Sequence, residues 1–189
     1  MQNKGEAKYE RVAIWYFSGT GNAKFAAEQI KKNAEAKGLP VEVYNIANQD
    51  RNAVSAEREK LLGFCFPTHG FNAPPIVLKF LLNFPRGKAN VFLLNTRAGL
   101  KMSKIHLPGI GGLALWLPAL ILLFKGYRPI GFRPLDMPSN WISIHPGLRT
   151  KVVESIYAHC TVTLERFSSR ILQGKWVLNG FLWLPVDIL

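Results

Sequence analysis

Short apolar runs recur along the chain and alternate with longer stretches in which apolar residues return every three or four positions. The short runs are rich in β-branched and aromatic residues, which is typical of buried strands. We predict five strands, at 12–17, 41–46, 61–66, 91–95 and 127–135. Proline cannot donate a hydrogen bond to a neighbouring strand, so Pro129 and Pro134 favour an edge position for the fifth.

Three of the longer stretches predict helices, because their apolar residues fall on one face. They cover residues 23–37, 74–82 and 150–172, and Gly38 follows the first as expected at a helix end. A polar connection between Asn48 and Lys60 predicts a loop with a short helix. Strands that alternate with helices indicate βαβ units with right-handed crossovers and a mostly parallel sheet.

The connection between the first strand and the first helix is Ser18-Gly-Thr-Gly-Asn22. A helix begins with unpaired backbone N–H groups and a partial positive charge. Glycines let the backbone approach an anion closely, and the hydroxyls of Ser and Thr add donors. The loop holds no Lys or Arg. We therefore predict a phosphate site made of neutral donors and the helix dipole.

Other phosphate motifs fit this loop less well. A Walker A loop would continue with Lys and Ser or Thr after Gly21, where Asn22 stands, and Lys24 occupies the place of the third glycine of a dinucleotide fingerprint. A GxSxG nucleophile elbow is also missing from the sequence. An ordinary glycine-rich turn without a ligand remains the alternative.

The segment Phe17–Asn22 resembles the phosphate-binding signature of flavodoxins. The resemblance extends over residues 10–172 and is nearest to the flavodoxin half of bacterial flavodoxin–ferredoxin fusion proteins, which residues 66–71, 125–127 and 137–141 resemble. It implies an open five-stranded parallel sheet in the order 2-1-3-4-5 with helices on both faces, and FMN bound at the carboxyl ends of the strands. The sequence departs from that group because it lacks the ferredoxin cysteines, and from ordinary flavodoxins because it is basic.

The resemblance also implies which residues contact FMN, in three loops that follow strands one, three and four. The phosphate residues would be Ser18, Gly19, Thr20, Gly21, Asn22 and Ala23. The residues beside the flavin ring would be Pro67, Thr68, His69, Gly70 and Phe71, and in the last loop Asn95, Thr96, Arg97 and Gly99. No catalytic residue and no metal ligand is assigned.

Several of these residues have a second interpretation. Phe71 would stack on the flavin or cap the core, and His69 would face the flavin or only the solvent. Arg97 would donate to the flavin O2 region and stabilise reduced, anionic FMN, or be a solvated loop arginine. Trp141 is more readily explained as structural than as a cover of the site. Asp136, Ser143 and His145 suggest a hydrolase triad only superficially, since nothing in the sequence fixes their geometry.

The composition of the chain limits the kinds of partner that we expect. The formal net charge is +12 and the two cysteines are isolated, so the sequence predicts no disulfide framework, zinc site or iron–sulfur site and is consistent with a cytoplasmic protein. The basic residues are scattered, which disfavours nucleic acid. They favour a redox partner protein that is acidic or ferredoxin-like, or an anionic membrane surface.

Two segments are so apolar that we expect another surface to cover them. Residues Leu107–Phe124 carry no charge, but Pro108 and Pro118 and several glycines interrupt them, so we reject a transmembrane span. Burial, a homodimer contact and lipid contact at the inner face of the membrane stay open. Residues 176–189 form a second apolar tail, separate from a flavodoxin-like domain at 1–175; either the chain is truncated there or the tail packs on the first segment.

These patterns together predict an FMN-binding flavodoxin-like electron-transfer protein. Two alternatives remain: an FMN-dependent reductase, quinone-type or NAD(P)H-linked, and a flavin-free interaction module at a membrane surface. Whether the chain is itself an enzyme is left open.

Overall fold

A computed structural model describes residues 8–48, 60–102, 105–107, 109, 111–138 and 148–179. Within these residues the chain forms seven strands: β1 Arg11–Tyr16, β2 Val41–Asn45, β3 Lys60–Pro67, β4 Asn90–Met102, β5 Ile105–Leu107, β6 Arg128–Pro138 and β7 Val177–Leu178. The helices are α1 Asn22–Glu35, α2 Pro75–Asn83, α3 Trp116–Phe124 and α4 Thr150–Leu172, with a short 3₁₀ turn at Ile46–Asn48.

The sheet has the strand order β2-β1-β3-β4-β6-β7, and every pair along this path is parallel. The predicted order 2-1-3-4-5 is confirmed, with β6 as its fifth strand. The edge position predicted for that strand is wrong, because β7 pairs with it at Gly131 and Phe132. Pro129 and Pro134 lie on either side of this short pairing, so neither proline removes a hydrogen bond from it.

Alternating side chains of the strands feed two cores, one on each face of the sheet. Phe92 and Leu94 of β4 belong to the core under α1 and α4, whereas Val91 and Leu93 belong to the core under α2 and α3. Each fully buried Leu or Phe side chain stabilises the folded state by about 2 kcal/mol. The two cores therefore hold the carboxyl ends of the strands in fixed positions.

The fourth strand is longer than predicted. Residues Asn95–Gly99, expected as a loop, continue β4 and pair with β6 as far as Gly99 opposite Pro138. The strand then turns back through β5, which pairs with it antiparallel. The polar sequence obscured this strand because its partner lies about forty residues away in the chain, outside any local pattern.

The apolar segment 107–124 is not one helix. Leu107 ends β5, a turn follows, and α3 begins only at Trp116. No helix among the described residues has the length and apolar character needed to cross a bilayer. The predicted short helix between Asn48 and Lys60, the side chains of Trp141, Ser143 and His145, and the tail from residue 180 onward lie outside the described residues.

Candidate functional site

The loops that follow β1 and β3, together with the end of β4, meet at the carboxyl edge of the sheet. In an open parallel sheet, β1 and β3 lie side by side where the strand order reverses direction, and ligands bind outside that edge. The hydrogen bond from the Phe17 backbone N–H to the Cys65 carbonyl, 3.0 Å, joins the first loop to β3. The sequence places its phosphate motif at this point.

The loop Ser18–Asn22 is open to solvent at its centre. Gly19, Thr20 and Gly21 are exposed, and a Cβ atom added to either glycine would have nothing within 4 Å. Gly21 caps helix α1 at φ +91°, a left-handed conformation that costs glycine little. No side chain caps the helix and its first turn carries no acidic residue. The amide donors of the first turn are therefore the groups that we expect an anion at this loop to meet.

The side chain of Asn22 does not take part in that opening. Its Nδ2 donates to the Pro138 carbonyl at 3.3 Å, and its Oδ1 accepts from the Tyr157 hydroxyl at 2.9 Å. Tyr157 also packs edge-on against Phe25, with ring centroids 4.8 Å apart. Asn22 thus ties α1 to β6 and α4, and these bonds use one donor and one acceptor position of its side chain.

The turn after β3 is tight and mostly exposed. His69 and Asn72 exchange two backbone hydrogen bonds of 2.8 and 3.0 Å, with Gly70 at φ +53° and Phe71 at φ +61° between them. Phe71 is 62% exposed, so it does not cap the core. Its carbonyl accepts a 2.8 Å hydrogen bond from the Leu113 N–H. This turn presents an aromatic ring beside the carboxyl edge of the sheet.

Thr68 fastens that turn to β4. Its N–H donates to the Thr96 carbonyl at 2.8 Å, and its hydroxyl accepts from Asn95 Nδ2 at 2.7 Å. Asn95 Oδ1 is buried and accepts no hydrogen bond from the described residues, and Asn95 lines a small cavity together with Leu115 and Trp116. Burying such an acceptor is costly unless a donor reaches it, so a water or a ligand N–H is expected there.

Arg97 is neither a solvated loop arginine nor a free donor for a flavin. Its side chain is 4% exposed and its Nε donates to Asp136 Oδ1 at 2.8 Å, with Nη2 3.4 Å from Oδ2. The Gly109 N–H donates to the same Oδ1 at 2.7 Å. A Cβ atom on Gly99 would lie 2.7 Å from the Cβ of Asp136, so a glycine is needed where β4 and β6 approach each other.

The surroundings of this ion pair shift the pKa values of two neighbouring groups. Burial raises the pKa of the Cys160 thiol to about 12, with Asp136 acting in the same direction. The thiol donates to the Asp136 carbonyl at 3.2 Å. Burial lowers the pKa of Arg133, and Asp136 opposes that shift. The Cys160 thiol is therefore not suited to exchange protons with a substrate near pH 7.

The comparisons with known proteins agree with this geometry. A sequence model described as Flavodoxin matches residues 14–100, from β1 into β4. Over these residues the chain is similar in sequence to flavodoxins. The family implies FMN as the cofactor and electron transfer as the broad role.

Solved flavodoxins share the fold of this flavodoxin-like chain. A flavodoxin of Streptococcus pneumoniae TIGR4 is 14% identical, with a TM-score of 0.53 over 80% of this chain and 97% of that one. The two-electron reduced flavodoxin of Megasphaera elsdenii is 18% identical, with a TM-score of 0.51 over 84% of this chain and 98% of that one. No curated protein matches the sequence.

The described residues fit the phosphate of FMN at the first loop, where open space lies beside uncapped amides. They fit the flavin ring less completely, because Arg97 is buried against Asp136 and Asn95–Gly99 form a strand. Sequence reasoning missed the contacts of Asp136 and Tyr157. It considered Asp136 only as part of a triad and Tyr157 only as one of the residues on the apolar face of the last helix. No local signal in the sequence relates either residue to its hydrogen-bond partner.

Proposed function

We propose that this flavodoxin-like chain holds FMN by its phosphate in the loop Ser18–Asn22 and transfers electrons through the bound flavin. The observation that carries the proposal is the open loop at the start of α1, which has two exposed glycines, no charged side chain and no side-chain cap from the described residues. A phosphomonoester fits such a site because backbone amides and the helix dipole favour an anion. FMN, when bound, supplies one- or two-electron chemistry.

Within this proposal the residues divide the work. The backbone N–H groups of residues 19–23 and the hydroxyls of Ser18 and Thr20 bind the phosphate. Phe71, exposed on the turn after β3, covers one face of the flavin ring. Gly70 lets the neighbouring peptide turn over at small cost when a hydrogen-bond acceptor is needed, because positive φ is unstrained for glycine.

The role proposed for Arg97 changes with the structure. A free guanidinium beside the ring would stabilise reduced, anionic FMN. The carboxylate of Asp136, 2.8 Å from Nε, offsets most of that positive charge. We therefore expect Arg97 to act mainly by holding β4 against β6, and we expect the reduction potential to respond more to Asp136→Asn, which leaves the cation uncompensated.

The surface charge suggests the kind of partner. With a formal net charge of +12, the chain should meet an acidic redox protein, such as a ferredoxin-like one, faster than a neutral one. Electron-transfer rates measured by stopped flow should then fall as salt is added, because salt screens exposed charges over roughly 10 Å. Electron-transfer rates that do not depend on ionic strength would contradict the proposal of an acidic partner. A cytoplasmic location stays a prediction.

The proposal is tested by adding FMN or riboflavin to the purified protein and following flavin absorption and fluorescence. Riboflavin carries the same ring without the phosphate and is the matched control. We expect FMN to bind at least about 100-fold more tightly, since two or three charge-assisted hydrogen bonds are lost with the phosphate. Equal affinity for the two flavins would overturn the phosphate site.

The same experiment separates the alternatives. Oxidation of NAD(P)H or reduction of a quinone by the FMN-loaded protein alone would favour a reductase. A protein that binds neither flavin would favour an interaction module without a flavin.

A further inference from the structure

The outer surface of α2 and α3 differs from an ordinary helical surface. Helix α3, WLPALILLF, has no charged residue, although one side of it faces solvent. A run of large apolar side chains lies exposed there, which we call the apolar stripe: Phe71, Leu113, Leu120, Leu123 and Phe124. Their exposed fractions run from 48% at Leu120 to 72% at Phe124. Exposed apolar surface of this extent indicates a partner.

The stripe is one continuous feature. Leu113, Leu120 and Leu123 follow helical spacing on one side of α3 and the turn before it. The hydrogen bond from the Leu113 N–H to the Phe71 carbonyl brings the turn after β3 to its upper end. At the lower end, Arg86 donates to the Phe124 carbonyl at 3.4 Å, and the Lys125 ammonium donates to the Phe84 carbonyl at 2.6 Å. These bonds join α3 to α2, where Leu82 is 61% exposed.

The charges around the stripe are of one sign. Residues 60–135, which include β3, α2, β4 and α3, contain ten Lys and Arg and no Asp or Glu. Four exposed cations belong to this part of the chain: Lys79, Arg86, Lys88 and Arg128. The exposed residues of α1 and α4 on the opposite face include Glu28, Glu35, Glu154 and Glu165. Among the described residues, the segment that contains α2 and α3 therefore combines exposed apolar side chains with basic charges alone.

We propose that the apolar stripe and its surrounding cations dock this protein on an anionic lipid bilayer. A helix with an apolar outer face lies in the interfacial plane with that face among the acyl chains, and Lys and Arg at its border contact anionic headgroups. An acidic protein would satisfy the cations but would have to cover a helix face with no polar group for directional recognition. An anionic bilayer offers acyl chains to the apolar stripe and negatively charged headgroups to the surrounding cations.

Docking in this orientation has a consequence for the redox site. Phe71 belongs both to the stripe and to the turn beside the proposed flavin ring. Docking would bring the ring edge near the bilayer surface, within reach of a lipid-dissolved electron carrier. This consequence rests on the proposed function, whereas the docking itself depends only on the described surface.

A site-specific fluorophore tests the docking directly. Both native cysteines, Cys65 and Cys160, are buried, so a single introduced thiol can be labelled selectively. We would place an environment-sensitive dye at Leu120→Cys and, as the matched control, at Val162→Cys on α4, where the original side chains are 48% and 45% exposed. Vesicles of phosphatidylcholine alone and of phosphatidylcholine with phosphatidylglycerol are then added, without FMN.

We expect a blue shift for the Leu120→Cys label with the anionic vesicles and little change for the Val162→Cys label. Co-sedimentation should show about a 25-fold weaker affinity for Lys79→Gln/Lys88→Gln, at roughly fivefold per cation. The matched control Lys32→Gln/Lys151→Gln removes two exposed cations from the opposite helices and should bind as the parent does. Because FMN is absent, failure of the flavin site would not alter these results.

Several outcomes would overturn the proposal. One is no shift with either vesicle, or equal shifts at positions 120 and 162. Equal binding to neutral vesicles would show that the cations play no part. A Leu120→Cys thiol that cannot be labelled in the native protein would show that another segment, such as the apolar tail, covers the stripe. A dimer in sedimentation analysis that Leu120→Gln dissociates would assign the stripe to a second copy of the chain.

Discussion

In the loop before α1 the candidate site is open and has no charged side chain, whereas between β4 and β6 it is closed around an ion pair. The first part consists of exposed backbone at Gly19 and Gly21 with empty space beside it. The second part consists of the Arg97 side chain, 4% exposed, bound to Asp136. The first part suits the ligand that we propose for it, and the second holds two strands in register. The following four experiments test this division, from the largest expected effect to the smallest.

Removing the carboxylate from the closed part should cost the most stability. We expect Asp136→Ala to lower the free energy of unfolding by about 3 kcal/mol, because Arg97 keeps its charge in a buried place without its carboxylate. Urea denaturation measures the change. The matched control is Glu35→Gln, which breaks the exposed Lys31–Glu35 pair of 3.8 Å and should cost only about 0.3 kcal/mol. Equal losses would mean that the β4–β6 pair is not a structural element.

A side chain in the open part should affect the ligand more than the fold. We expect Gly21→Val to weaken FMN binding about 100-fold, since it distorts the left-handed cap and fills the space beside the amides. Gly38 has a similar φ of +79° and equally open surroundings but lies at the far end of α1. Gly38→Val should therefore cost similar stability and leave FMN affinity unchanged in a fluorescence titration. A similar loss of affinity in both variants would place the phosphate elsewhere.

Asn22 lies at the border between the two parts. We expect Asn22→Ala and Tyr157→Phe each to cost about 1 kcal/mol of stability by removing their shared hydrogen bond. The double variant should cost less than the sum, as double-mutant cycles show for residues in contact. FMN affinity should change little in either variant. A large loss of affinity in Asn22→Ala alone would instead make the side chain a phosphate ligand.

The thiol behind the closed part gives the smallest effect near neutral pH, because its contribution to stability changes only in alkaline solution. Its pKa is raised to about 12 in the folded state against about 9 when unfolded, because burial disfavours the thiolate. The unfolded chain therefore ionises first, and stability should decline as pH rises from 9 toward 12. Cys160→Ala should decline less steeply in the same pH series of urea denaturations. Rapid reaction of Cys160 with a thiol reagent at pH 8 would show that this part of the site is open.

The first strand, the first helix and the loop between them could be predicted because their signals are local, whereas the order of the sheet followed from the resemblance to flavodoxins. The apolar run before Ser18, the glycines of the loop and the helical spacing from Ala23 onward lie within about two dozen residues. Each of these three signals reflects the conformation or the burial of residues that are close together in the sequence. The match of residues 14–100 to the flavodoxin family confirms the resemblance that this region suggested.

The end of β4 could not be predicted in the same way. Asn95, Thr96 and Arg97 are polar, so their sequence indicates a loop, yet they are buried. What buries them is pairing with β6 and a carboxylate that lies thirty-nine positions later. The hydrogen bond between Asn22 and Tyr157 spans 135 positions. Contacts of this separation depend on the assembled sheet, which periodicity does not describe.

The bond between Leu113 and Phe71 has one further consequence. Phe71 holds a left-handed φ of +61°, and Gly112 is the residue that lets its carbonyl approach so closely. Because the stripe and the turn share this link, a lipid that changes the flavin affinity by some factor must have its own affinity changed by flavin by the same factor. Measuring vesicle binding with and without FMN would then report on the redox site without any electron being transferred.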